Sequence, residues 1–306
     1  MFNRRFKYHP EFEKIDLDDS LFYNSSFESL EKHKVHIIYY TDPLCCACWA
    51  MEPIVRKLLE EYGDCFNLIL RMGGMLEDWD YVSNSDFSTP EEIESHWVEV
   101  GEIYGMPISG AIWRTDPVHS SYPPSRAYIA AKNQGQELSS TFLRKLRESL
   151  FIYDINIAFE ENIATAAKQS GLDVAKFLLD YRSIKSKDAL LSEISETRAT
   201  GVNAFPTIVF LGPDDKSKSI IGVRPYESYV NTLKEVMGYL PEKNSLNYSL
   251  VELFERYPLL SLKEISSLTD IPVRVIVSEL ENLVLSGYIE PIKVHSSYYW
   301  QKRTSP

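Results

Sequence analysis

The sequence predicts an α/β layered architecture, interrupted by a helical insertion and followed by a small second domain. Three observations carry this. Strand, helix and strand signals follow one another between residues 35 and 70. From about residue 75 to 200 strand signals nearly vanish and helical periodicity takes over. A strand hairpin and a closing helix then return before residue 240.

Val35–Tyr40 (VHIIYY) is β-branched and aromatic and predicts a buried strand, interrupted by Thr41-Asp42-Pro43. From Cys45 the pattern turns helical, with Trp49, Ile54, Leu58 and Leu59 spaced for one apolar face and Gly63 as the stop. Phe66–Leu70 predicts a second strand, with Arg71-Met72-Gly73-Gly74 after it as a tight turn. The insertion is punctuated near Gly105–Pro107 and Tyr122–Pro124. Phe205–Leu211 and Ser219–Val223 flank a turn and predict a hairpin, and Pro225–Met237 an amphipathic helix. Residues 1–34 are polar and charged and read as an extension with one short helix.

The stretch Pro241–Asn247 (PEKNSLN) is the best linker, which divides the chain into 1–240, with the insertion at about 75–200, and 246–306. The second part predicts helices over Ser249–Tyr257, Leu262–Thr269 and Pro272–Ser286, the last with proline in its first turn. Two short strands, Tyr288–Val294 and Tyr298–Lys302, follow. That order resembles a winged helix. Its third helix would bury Ile276, Leu280, Leu283 and Leu285.

Charge narrows the partners. Of 306 residues, 32 are Lys or Arg and 44 Asp or Glu, a net charge of −12, so phosphate backbones and anionic membranes are disfavoured partners. Residues 248–306 hold six basic and seven acidic side chains, which argues for protein contact over DNA reading by the winged domain. No apolar run approaches the ~18 residues that span a bilayer, and no secretory signal is visible; a cytoplasmic protein is expected.

The four cysteines, Cys45, Cys46, Cys48 and Cys65, are too few and too clustered for a disulfide-stapled scaffold. Cys45 and Cys48 form a C-x-x-C at a strand-to-helix junction. Unpaired backbone N–H groups and the helix dipole favour a thiolate there, and the thiolate is the nucleophile of disulfide exchange. Cys48, within the first turn, is placed to resolve a mixed disulfide. Pro53 lies inside the helix eight residues after Cys45 and should kink it. Phe205-Pro206-Thr207 opens the later strand, an awkward place for proline.

In this order, C-x-x-C, the proline at plus eight and the late F-P-T strand resemble the DsbA-like thioredoxin family, a thioredoxin fold with an inserted helical domain. The segments D-P-L-C-C-A-C-W-A-M-E-P, R-M-G-G and R-P-Y-E-S-Y resemble the FrnE-type predicted cytosolic disulfide isomerases. With W-R-T-D-P-V-H-S-S-Y-P and the tail, they also resemble the SpxH-type ClpXP adaptors. The resemblance implies catalysis by Cys45 and Cys48, a cis-proline at Pro206, and a substrate strand held by Phe205, Pro206 and Thr207, with Trp49 at the edge of the site. Where the family carries a buried carboxylate six residues before the first cysteine, this chain has Tyr39; Asp42 is the nearer acid.

Two functions stay open. One is a thiol–disulfide oxidoreductase or isomerase acting on a protein client. The other is an adaptor presenting an Spx-like regulator to ClpXP, its C-x-x-C retained for packing. Cys46 and Asp42 are auxiliary candidates, Cys46 more as an exposed bystander than a catalyst. Cys65 reads as a buried, inert thiol. No cofactor motif is seen, and structural zinc lacks a second ligand pair.

Overall fold

The computed structural model describes residues 35–78, 89–213 and 216–303; the extension expected over residues 1–34 lies outside them. Strand β1 (Val35–Thr41) is buried along its whole length, as its unbroken apolar run requires. It pairs in parallel with β2 (Phe66–Met72) and antiparallel with β3 (Thr207–Leu211), which pairs antiparallel with β4 (Ser217–Ile221). The sheet order is β2-β1-β3-β4.

Between β1 and β2 the predicted single helix is two, α1 (Cys46–Ala50) and α2 (Glu52–Tyr62). The break falls at Met51, with Pro53 in the first turn of α2, where its missing N–H costs nothing. The break also splits the predicted apolar face. Trp49 packs towards the insertion core, Leu58 towards the sheet core, and Leu59 is exposed.

The insertion carries α3 (Pro90–Tyr104), α4 (Ile112–Thr115), α5 (Tyr122–Ala131), α6 (Gln136–Phe151), α7 (Glu160–Gln169), α8 (Val174–Arg182) and α9 (Ile184–Ala199). Pro123 and Pro124 lie in the first turn of α5, at the boundary that separates it from α4. After β4, α10 (Tyr226–Met237) packs on the sheet.

The C-terminal part runs α11 (Leu250–Arg256), β5 (Leu259–Ser261), α12 (Leu262–Leu268), α13 (Val273–Leu285), β6 (Ile289–Val294) and β7 (Ser297–Lys302). Its sheet order is β5-β7-β6; β5 was invisible in the sequence because three residues carry no periodicity. Pro272 caps α13 from outside its first turn. Ile276 and Leu280 are buried as expected, but Leu285 is 85% exposed: at the last residue of the helix it points past the core formed by the hairpin.

Leu259, Val294 and Tyr299 of this part belong to the same apolar core as Trp49, Trp97 and Phe151. A polar seam continues the joint. Glu264, fully buried, lies 2.8 Å from Arg144 and 3.0 Å from Arg56. Arg144 also reaches Glu148 at 2.8 Å, and Arg147 pairs with Glu52 at 2.6 Å. Glu60 of α2 receives Arg256 at 2.7 Å and the hydroxyl of Tyr248 at 2.8 Å.

Candidate functional site: the cysteine pair and its groove

Cys45 is the N-cap of α1, in extended conformation, and is joined by a disulfide to Cys48 with 5.1 Å between the Cα atoms. Its Sγ accepts a hydrogen bond from the Cys48 backbone N–H at 3.1 Å. Sulfur therefore meets the helix N-terminal amides that the spacing predicted. The pair is deeply set: Cys45 is 4% exposed and Cys48 is 0%. The intervening Ala47 alone in the motif is half-buried.

Cys46 is not the exposed bystander that the sequence led us to expect. It is buried in the insertion core, and burial pushes its thiol up to about 12, so it stays protonated at neutral pH. The reason is helical phase: one residue after Cys45, the chain turns its side chain inward. Cys65, expected to be buried, is half-buried in a short turn before β2, and burial raises its thiol as well.

Two buried side chains, Tyr39 and Asp42, lie close to the cysteine pair. Tyr39 is buried, and its hydroxyl donates to the Cys48 carbonyl at 3.3 Å; burial raises its pKa, so it braces α1 as a neutral phenol. Asp42 is fully buried. Its carboxylate accepts from the backbone N–H of Leu44 at 2.9 Å and of Met75 at 2.8 Å, and from the Ser121 hydroxyl at 2.9 Å. It thus ties the active-site loop to the loop after β2 and to the insertion. Burial outweighs these bonds and lifts it to about 6.

The Phe205–Pro206 peptide bond is cis. Pro206 gives its carbonyl to Gly222 N–H at 2.8 Å. Thr207 lies between Tyr40 of β1 and Ile221 of β4, buried, its hydroxyl donating to Ala204 O at 2.7 Å. Of the three predicted substrate residues, Phe205 alone lines open space. Its ring rests on Gly73, where an added Cβ would lie 1.9 Å from the ring. That close approach, from within the chain, is what the R-M-G-G motif serves.

Trp49, predicted at the edge of the site, is instead fully buried. Its indole N–H donates to the Tyr299 hydroxyl at 3.1 Å, which donates in turn to Pro107 O at 2.8 Å. Phe151 packs beside the indole and the Arg144 guanidinium sits 4.3 Å over it. Trp49 forms the socket that receives Tyr299 of the C-terminal domain.

A groove of about 920 Å³ starts at Ala47 and Phe205. It runs along Ile54 and Lys57 of α2, is walled by His96 and Tyr104 of α3, and is closed by Arg224–Glu227 and by Lys263, Ser266 and Ser267 of α12. Sequence reasoning missed α12 here altogether. Of the R-P-Y-E-S-Y segment, Arg224, Pro225, Tyr226 and Glu227 are groove wall. Among the described residues no group of three or more His, Cys, Asp or Glu could hold a metal ion, and no helix is long and apolar enough to cross a membrane.

The thioredoxin family (Thioredoxin_5) matches residues 39–231. The ClpXP adapter protein SpxH of Halalkalibacterium halodurans is 33% identical over 89% of this chain and 90% of its own length. That of Shouchella clausii is 31% identical over 88% and 89%. The cytosolic disulfide reductase DsbM of Pseudomonas aeruginosa superposes with a TM-score of 0.51 at 18% identity, over 65% of this chain and 94% of that one, a likeness of fold. With a DsbA-like fold, a C-x-x-C disulfide and a C-terminal domain within the matched length, the chain belongs to the thioredoxin family in its DsbA-like form and, within it, to the SpxH adapter proteins.

Proposed function

We propose that this chain is a cytoplasmic adaptor that presents a client protein, a regulator of the Spx class, to the ClpXP protease. The observation that carries the reading is the composite groove. One wall is the cysteine-bearing helix pair and another is α12 of the C-terminal domain, locked there by Glu264 and Tyr299. An oxidoreductase has no need of such an appendage, whereas an adaptor works by surface complementarity. The near-full-length likeness to SpxH supports the same reading. In a reconstituted ClpXP assay the protein should accelerate degradation of its client. The double variant Cys45→Ala, Cys48→Ala should do so to a similar extent. No acceleration, with no client bound, would sink the adaptor reading.

A second reading, thiol–disulfide exchange, is favoured by the Cys45–Cys48 disulfide at a helix N-terminus beside the Phe205–Pro206 bond. Cys45 would attack and Cys48 resolve, with Asp42 the nearby acid titrating closest to neutrality. At 4% and 0% exposure the pair should exchange slowly with bulky protein disulfides. Cys48→Ala should trap a client on Cys45 if exchange occurs. Insulin reduction at rates matching a dedicated oxidoreductase would promote this reading over the first.

A further inference from the structure

We propose that the groove receives an extended, apolar segment of the client that carries acidic side chains, with Lys263 of the C-terminal domain supplying part of the charge selectivity. This rests on reading the groove as the client site.

Much of the lining is apolar, with Ile54, Val100, Ile103 and Phe205 in the walls and Ile103 56% exposed. Covering such surface favours association. The groove also meets the end of β4, the edge strand of the four-stranded sheet, at Ile221–Val223. An edge strand offers backbone groups to an extended chain, which favours an extended occupant over a helix.

Charge identifies the occupant further. The molecule as a whole carries −12, yet the groove lining holds Lys57, Arg224 and Lys263 against Glu227. Glu61 answers part of the Lys57 charge from 3.7 Å, but it also serves Tyr226 and Lys243. Glu264, next to Lys263 in sequence, is buried and held by Arg56 and Arg144. Desolvation lowers the pKa of His96, so it adds no charge at neutral pH. A basic groove with apolar walls concentrates field lines on an acidic segment. Lys263 joins Arg224 across the groove only because the C-terminal domain is docked. The appendage therefore helps to set specificity as well as shape.

The test uses the full-length protein and three amidated synthetic peptides of one length and one apolar sequence. They carry glutamate, glutamine or lysine at the same two positions. Fluorescence anisotropy should show the glutamate peptide binding about three- to tenfold tighter than the glutamine peptide, the range for two partly exposed ion pairs, and the lysine peptide weakest. The preference should shrink with added salt. Lys263→Glu should remove or reverse it, Lys263→Gln should reduce it, and Lys263→Arg should keep it. Lys263 is exposed, so each variant should stay folded, which circular dichroism melts would check.

Equal binding of the glutamate and glutamine peptides would overturn the proposal. So would a preference for lysine, or a preference unchanged in both Lys263→Glu and Lys263→Gln. Self-association through the groove, seen as a sedimentation shift lost in Lys263→Glu with no peptide bound, would overturn it in favour of a second copy. Client degradation without acidic preference breaks this proposal alone. Acidic preference without accelerated degradation breaks the adaptor reading and leaves the groove standing.

Discussion

Among the described residues two carboxylates, Asp42 and Glu264, are wholly buried, and they are held in opposite ways. Asp42 sits beside the cysteine loop. Its carboxylate accepts from two backbone N–H groups and a hydroxyl, while Arg147 bonds its main-chain carbonyl and lowers it only in part, so burial lifts it to about 6. Glu264 sits at the joint with the C-terminal domain. Burial would raise it too, but Arg144 and Arg56 outweigh the burial, and its pKa falls below the ordinary range. Neutral hydrogen bonds can satisfy a buried carboxylate without keeping it charged; two guanidinium groups keep it charged. The cysteine neighbourhood is thus built around a group that titrates near physiological pH, and the joint around one that does not.

The largest effect that would break this contrast is at the joint. Glu264→Ala leaves Arg56 without its buried partner and should cost about 3–5 kcal/mol in denaturant unfolding followed by tryptophan fluorescence. A loss below 1 kcal/mol would mean that the ion pairs do not hold the C-terminal domain.

Next comes the pH dependence at Asp42. Its folded pKa lies above the ordinary 3.8, so its contribution is fully present below that value and is lost as pH rises through about 6. Wild-type stability should fall by about 3 kcal/mol across this window relative to Asp42→Asn, whose profile should be flatter there. Parallel profiles would show that Asp42 titrates alike in the folded and unfolded chains. Glu264 runs the other way: its contribution is present above the ordinary glutamate range and is lost as pH falls through its lowered value.

Tyr299→Phe comes third. It removes the acceptor of the Trp49 indole and the donor to Pro107 O, and should cost about 1–3 kcal/mol, with altered Trp49 emission. Unchanged emission would mean that the joint does not reach the cysteine helix. The smallest effect is a control. Lys218 and Glu235 pair on the surface, both about half exposed, and Lys218→Ala should change stability by less than about 0.5 kcal/mol.

Much of the architecture was legible because it is local. The β1 run, the helix start at Cys45, the Pro53 break and the closing hairpin each follow from residues within a few positions of one another. The cysteine pair was legible for the same reason: its chemistry depends on a spacing of three and a helix N-terminus. Leu59 was misjudged because the break at Met51 resets the helical phase of α2, and Cys46 because its place in the first turn of α1 faces the insertion core.

By itself, then, the sequence determined the layered α/β plan, the insertion, the appended domain and the position of the cysteines. These rest on periodicity, turn chemistry and capping, which act over a few residues. Only the tertiary structure decided that α12 walls the groove, that Tyr299 plugs the socket at Trp49, and that Asp42 and Glu264 part ways. Ser261 and Glu264 look in sequence like an ordinary capping box, and they do form one. What sets the charge of Glu264 is Arg144, 120 residues away, and Arg56 from a helix on the far side of the insertion in sequence. Desolvation and ion pairing depend on which surfaces meet, and no short stretch of chain records that.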